Sequence, residues 1–365
     1  MRKTISLLTV IVLIIVSCKT DKKGENDAYT GATKWVDSLI YPEEIHFKSI
    51  KQITFGGDNA EAYWSFDDSQ IIFQSNNKEW GVECDQMFLM NRNEVFDSIV
   101  PPMISTGKGR TTCAYFLPNN KQFVYGSTHL GGDECPDAPL RREGKYVWPI
   151  YESYDIFVSD LNGNITNQLT TEPGYDAEAT VSPQGDRIVF TSMRTGDLEL
   201  FTMNIDGTDV KQVTNELGYD GGAFFSPDGT KLIFRSSRPK TEAEIKEYKD
   251  LLAIGLVQPT NMELYVCNVD GSELTKITDL GSANWAPFFH PSGEKVIFSS
   301  NHVSKRSFNL YMINLDGSGL EQITYDTVFD AFPMFSPDGK KIVFSSNRNN
   351  NGTRDTNLFV AEWVD

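Results

Sequence analysis

Three aspartates in this sequence are each followed, eighteen residues later, by an arginine. The pairs are Asp176 and Arg194, Asp220 and Arg238, and Asp330 and Arg348. At the equivalent positions of three related segments the residues are Asn59 and Asn77, Thr111 and His129, and Asn284 and His302. Arginine is therefore present only where aspartate is, which indicates that the two side chains face each other. Such pairs are commonly structural ion pairs that fix a hairpin, and the alternative is a ring of charged groups presented to a ligand.

Two of the related segments carry histidine where the others carry arginine. His129 and His302 are candidates for binding a metal or a polar ligand, but neither has carboxylates nearby at the spacing of a metal site. The sequence therefore predicts no metal and no cofactor. It also lacks a Gly-x-Ser-x-Gly elbow, a His-Glu-x-x-His motif, a glycine-rich phosphate loop and an EF-hand loop. No catalytic residue can be assigned, and the sequence favours a binding protein over an enzyme.

These positions recur because the chain repeats one pattern six times after residue 50. Each copy has a strand that ends in an apolar residue, a tight turn, a β-branched strand and then Ser. The clearest turns read Ser-Pro-Asp-Gly, and the six turns begin at residues 65, 117, 182, 226, 290 and 336. The mean period is about 54 residues, which is typical of a propeller blade with insertions. Turns such as Asp270-Gly271 add a second hairpin, so each copy is predicted to form four antiparallel strands.

Six such sheets are expected to stack around an axis, because a closed ring leaves no unpaired sheet edges. The predicted fold is an all-β, six-bladed β-propeller of four-stranded antiparallel blades. The last copy ends with its third strand at residues 358–363, and a strand of the fourth type precedes the first copy at residues 50–55. We therefore predict that the N-terminal strand completes the last blade.

Two motifs of the repeat are specific. One reads Ser-Pro-Asp-Gly-Lys-Lys-Ile-Val-Phe-Ser-Ser-Asn-Arg and ends at Arg348, and the other is Asn-Leu-Asp-Gly-Ser-Gly at residues 314–319. Together they resemble the WD40-like (PD40) repeats of TolB-like six-bladed propellers, over roughly residues 48–365. The WD40 family proper is not matched, since no Gly-His and Trp-Asp pair recurs. The resemblance implies an exported bacterial protein that binds or scaffolds rather than catalyses.

The first residues, 1–17, are predicted to be a lipoprotein signal peptide. A short basic start precedes an apolar run at residues 5–16, which is too short to span a membrane. The run ends in Ile-Val-Ser-Cys, which resembles a lipobox, so Cys18 is predicted to carry the lipid after cleavage. The alternative is an ordinary secretory signal with a chance cysteine. Residues 18–47 then form a tether and lead-in segment, and residues 48–365 form the propeller.

Two insertions, residues 130–153 and 239–261, interrupt the second and fourth copies. Both follow the second strand of their copy, so they emerge at the face where the Asp–Arg positions lie. The first carries an aromatic series that includes Trp148 and Tyr151, and the second has apolar residues at helical spacing behind Thr241, a candidate N-cap. The aromatic residues either pack the insertion onto the propeller or form a platform for a carbohydrate or a peptide.

Four cysteines remain after the signal segment. Cys113 begins the first strand of copy 2 and Cys135 lies in its insertion, so both are placed at one face and are predicted to form a disulfide. Cys84 is placed near the same face and is the competing partner. Cys267 lies within an apolar strand and is predicted to be a buried thiol.

The charge of the chain limits its partners. It has 33 Lys+Arg against 50 Asp+Glu and a formal net charge of −17, so nucleic acid is not expected to bind. The predicted function is a monomeric propeller in the envelope of a Gram-negative bacterium that binds an envelope protein or a glycan. Its only contact with the membrane, on the periplasmic or the surface side, is predicted to be the lipid anchor.

The predicted ligand site lies at the mouth of the propeller channel. It is built from the three Asp–Arg pairs together with His129, His302, Trp148 and Tyr151. The alternative function is a glycan- or peptide-processing lyase or hydrolase at the same face, assembled from His129, Arg194, Arg238 and His302 around an acidic sugar.

Overall fold

The computed structural model describes residues 39–96 and 99–365. The predicted signal peptide, Cys18 and most of the predicted tether lie outside these residues. Within the described ranges, no helix is both long and apolar enough to cross a membrane.

Six antiparallel sheets of the described residues form the blades of a ring, which confirms the predicted propeller, and two further sheets have two strands each. The first strand of each blade contacts the first strands of its two neighbours, so the six first strands surround the axis. The strands of blades 1 to 3 are β2 (Asp58–Trp64), β3 (Gln70–Asn76) and β4 (Gln86–Asn91); β5 (Thr111–Phe116), β6 (Gln122–Ser127), β10 (Asp155–Asp160) and β11 (Ile165–Gln168); and β12 (Asp176–Val181), β13 (Arg187–Ser192), β14 (Glu199–Asn204) and β15 (Lys211–Gln212). The strands of blades 4 to 6 are β16 (Asp220–Phe225), β17 (Lys231–Ser236), β19 (Glu263–Asn268) and β20 (Thr275–Lys276); β21 (Asn284–Phe289), β22 (Lys295–Ser300), β23 (Asn309–Asn314) and β24 (Glu321–Gln322); and β25 (Asp330–Phe335), β26 (Lys341–Ser346), β27 (Asn357–Trp363) and β1 (Phe47–Gln52).

The Ser-Pro-Asp-Gly turn fixes the first hairpin of a blade through its side chains. In blade 4 the Ser226 hydroxyl accepts the backbone N–H of Lys231 at 2.9 Å and donates to the Asp228 carboxylate at 2.5 Å. That carboxylate also accepts the backbone N–H of Thr230 at 3.0 Å. Gly229 follows with a φ of +74°, a left-handed conformation that costs other residues about 1–2 kcal/mol. The turn is therefore specified by residue types that the repeat pattern retains.

The second strand of a blade is buried on both faces. In blade 6 the consecutive residues Ile342, Val343 and Phe344 are all fully buried. Neighbouring blades cover both faces of the sheet, so the strand reads as a continuous apolar run instead of an alternating one.

The N-terminal strand closes the ring, as predicted. Strand β1 pairs antiparallel with β27, with Ile50 opposite Ala361. Ahead of β1, the Glu44 carboxylate accepts a hydrogen bond from Arg348 at 2.9 Å, so the lead-in segment is also attached to blade 6. Blade 6 is therefore assembled from two segments that lie far apart in the chain.

Blade 1 departs from the predicted four strands. In the described residues it has three strands, and an isolated bridge between Phe88 and Met103 takes the fourth position. The backbone N–H of Ile104 donates to the carbonyl of Met87 at 2.8 Å, so this segment still covers the outer edge of β4. Pro102 lies in the segment, and a proline cannot donate to a strand ladder, which keeps the pairing short.

The two insertions pair with each other. Their elements are the hairpin β7 (Arg141–Arg142) and β8 (Lys145–Tyr146), strand β9 (Trp148–Pro149), helix α1 (Glu242–Leu252) and strand β18 (Leu256–Val257). Strand β9 of the first insertion and β18 of the second form a two-stranded antiparallel sheet. Thr241 caps α1 as predicted, since its side chain accepts the N–H of Glu244 at 3.2 Å. The insertions thus connect blades 2 and 4, which are the two neighbours of blade 3.

The predicted disulfide between Cys113 and Cys135 is wrong. Cys135 is bonded to Cys84 of blade 1, and Cys113 is a free thiol. Cys113 lies at a bulge in β5 with a φ of +43°, which turns its side chain into the central channel instead of toward the insertion. The disulfide therefore attaches the first insertion to the neighbouring blade.

Candidate functional site

A β-bulge interrupts the first strand of every blade at the same place. The register of the first hairpin shifts there in all six blades, and one residue at the shift has a positive φ. These six residues, called the bulge ring below, are Glu61, Cys113, Glu178, Gly222, Ala286 and Phe332, with φ between 43° and 60°. A bulge re-aims a side chain, and a non-glycine residue with positive φ is strained. Five of the six blades carry this strain, and strained backbone clusters at functional centres.

The bulge ring lines a cavity of about 460 Å³ in the middle of the propeller. Eleven residues of the cavity wall are aromatic: Tyr63, Tyr146, Trp148, Tyr151, Tyr154, Tyr175, Tyr219, Phe224, Trp285, Phe329 and Phe332. Several of them come from the first insertion, so the paired insertions form part of the wall. A volume of this order lies within the usual range of roughly 300–1,000 Å³ for small-molecule sites.

The bulge ring has a polar half and an apolar half. Blades 1 to 3 contribute Glu61, Cys113 and Glu178, whereas the residues from blades 4 to 6 carry no polar side-chain atom. The polar side chains of the bulge ring therefore lie on one side of the cavity, and Arg235 of blade 4 adds a charged group on the other.

A buried arginine holds Glu178. Arg235, on β17, forms an ion pair with Glu178, and both side chains are less than a tenth exposed. Glu178 also accepts hydrogen bonds from the Tyr219 hydroxyl at 2.8 Å, the Thr191 hydroxyl at 2.7 Å and the Gly222 N–H at 2.9 Å. Burial acts to raise the pKa of Glu178, but the Arg235 charge and these hydrogen bonds outweigh burial and hold the pKa below its usual value.

Gly222 leaves room for this arginine. A Cβ atom at Gly222 would lie 1.8 Å from Nη1 of Arg235. The guanidinium group also lies over the rings of Trp148 and Tyr219, at 5.3 and 5.0 Å from their centroids. Arg235 therefore joins blade 4 to blade 3 and to the first insertion.

Glu61 has no cationic partner among the described residues. Its Oε2 accepts hydrogen bonds from the Cys113 thiol at 3.1 Å and from the Tyr63 hydroxyl at 3.0 Å. Burial raises the pKa of Glu61. Burial, followed by the nearby carboxylates, also raises the pKa of the Cys113 thiol well above its usual value. Cys113 is therefore a protonated hydrogen-bond donor and not an activated nucleophile.

The three Asp–Arg pairs form ion pairs but do not line the cavity. The N–O distances are 2.9 Å for Arg194–Asp176, 2.5 Å for Arg238–Asp220 and 3.0 Å for Arg348–Asp330. The Arg194 guanidinium lies 5.1 and 5.0 Å from the ring centroids of Phe190 and Phe201, on the second and third strands of its blade. These pairs therefore extend outward from the axis, in the geometry of a structural ion pair. A role for these six residues in ligand binding stays a prediction.

His129 and His302 take the place that arginine has in other blades. His129 Nδ1 lies 2.9 Å from the Ser127 hydroxyl, as Arg194 Nε lies 2.8 Å from the Ser192 hydroxyl. Each imidazole is centred 4.5 Å from an aromatic ring of the third strand, and burial lowers the pKa of both. Neither lines the cavity. In residues 39–96 and 99–365 no group of three or more His, Cys, Asp or Glu side chains is arranged to hold a metal ion.

Trp148 and Tyr151 are the two predicted ligand residues that do line the cavity. The Trp148 ring packs 5.2 Å from that of Trp285, and the Tyr151 hydroxyl donates to the Asp137 carbonyl at 2.7 Å. They therefore pack the insertion onto the propeller and also face the cavity, and their role as a platform for a ligand stays a prediction.

Sequence reasoning missed Glu61, Glu178 and Arg235. A signal for two of them was present, because every bulge-ring residue lies four positions before the start of its Ser-Pro-Asp-Gly-type turn. Arg235 carries no such periodic signal, because its role depends on Gly222 in its own blade and on Glu178 in the preceding blade.

Comparisons with known proteins agree with this architecture. Residues 150–249 and 252–353 match the PD40 family model, described as the TolB beta propeller domain. A protein assigned as TolB from Agrobacterium tumefaciens is 18% identical with a TM-score of 0.52, over 85% of this chain and 91% of that one. TolB from Acinetobacter baumannii is 17% identical with a TM-score of 0.52, over 84% of this chain and 63% of that one. The tricorn protease is 17% identical with a TM-score of 0.50, over 80% of this chain and 24% of that one. No curated protein sequence matches the chain. At these identities the structural likeness concerns the fold alone.

Proposed function

The chain belongs to the TolB β-propeller (PD40) family, and we propose that it is a ligand-binding propeller of the bacterial cell envelope that takes a small glycan in the bulge-ring cavity. The observation that carries this proposal is the cavity itself, which combines eleven aromatic side chains with a polar half-ring. Rigid aromatic faces supply contact area, and a few fixed polar groups supply orientation, which is the usual construction of a small-ligand site.

A small ligand suits this site better than a folded protein partner. A stable protein interface buries about 800 Å² on each partner, whereas the cavity is a concave space of about 460 Å³. Within the first strands of the blades, the residues with strained backbone all lie at the cavity wall. The sequence also predicts a protein as the alternative partner, and such a partner would bind at the face that carries the two insertions.

The envelope location rests on two features. The signal-like N-terminus with Cys18 supports export and lipid anchoring, and the Cys84–Cys135 disulfide supports an oxidising compartment. We propose that the propeller is monomeric and that the lipid is its only contact with the membrane.

The test is binding of the full chain, purified in detergent, to a glycan array, followed by calorimetry with each glycan that binds. Ala286→Phe places a large side chain in the cavity, and Phe332 already adopts the same backbone conformation in the next blade. We expect this variant to abolish glycan binding with little change in melting temperature. The matched control is His302→Ala, which removes a side chain from the same blade outside the cavity and should leave binding intact.

The opposite pattern, in which His302→Ala abolishes binding and Ala286→Phe does not, would assign the ligand to the site first predicted from the sequence. Conversion of a bound glycan to product would identify the processing enzyme that is the alternative. Failure of every glycan to bind would contradict the proposal.

A further inference from the structure

The cavity wall carries more carboxylates than cations. Its charged residues are the four acids Asp58, Glu61, Asp85 and Glu178 and the two arginines Arg110 and Arg235. Both guanidinium groups are already paired, one with Asp85 and the other with Glu178. Glu61 and Asp58 remain, and neither has an ion-pair partner in the part of the chain that the structure describes.

Glu61 is the deeper of these two acids. It belongs to the bulge ring, whereas Asp58 is exposed at the start of β2. The Oε2 atom of Glu61 accepts from two neutral donors, Cys113 and Tyr63, and the Oε1 atom accepts no hydrogen bond from any described residue. A carboxylate in a protein interior is stabilised by donors and above all by a cation. One oxygen of Glu61 is thus left for a group that enters the cavity.

The surrounding rings also suit a cation. Tyr63, Tyr154 and Tyr175 line the same cavity, with the last two rings centred 5.5 Å apart. The protein itself places a cation against aromatic rings here, because Arg235 lies over Trp148. A positive charge on the ligand is attracted both by the faces of these rings and by a carboxylate. An anionic ligand finds no unpaired cation among the described residues of the wall.

We propose that the ligand of the cavity carries a protonated amine and that its ammonium group pairs with Glu61. This inference rests on the proposed function and narrows its ligand class, so the glycan is a sugar with a free amino group. Neutral N-acetylated sugars and uronates are then the disfavoured relatives.

The experiment is calorimetry of the full chain at pH 7 with matched sugars. Glucosamine, N-acetylglucosamine, glucose and glucuronate form one set, and the corresponding galactose derivatives form the other. We expect an amino sugar to bind about tenfold or more tightly than its acetylated and its unsubstituted counterparts, as a hydrogen bond between charged groups provides. This comparison uses the wild-type protein and does not depend on the folding of any variant.

The Glu61→Gln variant then tests whether Glu61 causes the preference for the amino sugar. The amide keeps the shape of the side chain and an acceptor oxygen for Tyr63 and Cys113 but removes the charge. We expect the affinity for the amino sugar to fall about tenfold relative to that for the neutral sugar, so that the preference disappears. Asp58→Asn is the matched control and should retain most of the preference.

The results distinguish the inference from the proposed function. Neutral sugars or uronates that bind as tightly as amino sugars, or an unchanged preference in Glu61→Gln, would overturn the inference and leave glycan binding in place. Failure of every sugar in both sets would overturn the inference together with the proposed function.

Discussion

Replacing Arg235 with methionine measures how far the Glu178–Arg235 pair supports the propeller. The variant leaves a carboxylate that is less than a tenth exposed, with its hydrogen bonds from Tyr219 and Thr191 but without a cation. Removing one member of a buried ion pair costs about 3–5 kcal/mol, because the remaining charge is desolvated without compensation. Methionine keeps most of the side-chain volume against Trp148, so the cost arises mainly from the charge.

The pH dependence separates this charge effect from packing. In the wild type the pKa of Glu178 lies below its usual value, so the pair contributes stability at neutral pH that is lost as pH falls through the lowered pKa. In Arg235→Met the remaining hydrogen bonds alone do not offset the effect of burial on Glu178. We therefore expect the pKa of Glu178 to rise above its value in the unfolded chain. The difference in free energy of unfolding between wild type and variant should therefore become smaller as the pH falls through that raised pKa.

The assay is urea denaturation of wild type, Arg235→Met, Glu178→Gln and the double variant, followed by tryptophan fluorescence at pH 7 and at pH 5. We expect Arg235→Met to lower the free energy of unfolding by about 3–5 kcal/mol at pH 7 and by less at pH 5. The double variant should be closer to wild type than Arg235→Met, because it contains no unpaired charge. A loss below about 1 kcal/mol, typical of an exposed pair, or a loss that is the same at both pH values, would refute this reasoning.

Two further predictions concern the frame of the site. Gly222→Ala should destabilise the protein by more than Gly196→Ala. Both glycines have positive φ, but a Cβ added at Gly222 would lie 1.8 Å from Arg235, whereas nothing lies within 4 Å of a Cβ at Gly196. Equal losses of free energy of unfolding in urea denaturation would show that backbone strain alone is responsible. Replacing Cys84 and Cys135 together with serine should lower the free energy of unfolding by about 2–4 kcal/mol and expose residues 130–153 to limited proteolysis; an insertion that stays protected would mean that the β9–β18 pairing suffices to hold it.

The blade count and the ring closure were accessible from the sequence because their signals are local. A Ser-Pro-Asp-Gly turn such as the one at Ser226 sets its own hydrogen bonds, so its recurrence marks each blade. The Asp–Arg contacts could be predicted for a different reason. The two positions change together across the six copies of the repeat, and this joint change indicates that their side chains are in contact.

The bulge ring could not be read from the alternation of strand residues. A bulge adds one residue to a strand and re-aims the side chain, so Glu61 and Cys113 cannot be assigned to the channel by counting faces. The disulfide failed for the same reason, because the side chain of Cys113 turns into the channel and Cys84 of the adjacent blade meets Cys135. Contacts between blades depend on the twist and spacing of whole sheets, which no local pattern encodes.

The pairing of β1 with β27 has a consequence for how the protein reaches its native state. The two strands are separated by more than three hundred residues, so the last step of folding must close a loop that contains nearly the whole ring. Blades 1 to 5 consist of neighbouring segments and can form during synthesis, whereas β1 keeps an unpaired edge until β27 has emerged. The cavity needs all six first strands, and β25 is held in blade 6 with that closing pair. A nascent chain therefore has no bulge-ring cavity until the ring is closed, and we expect the aggregation-sensitive phase of its folding to fall in that interval.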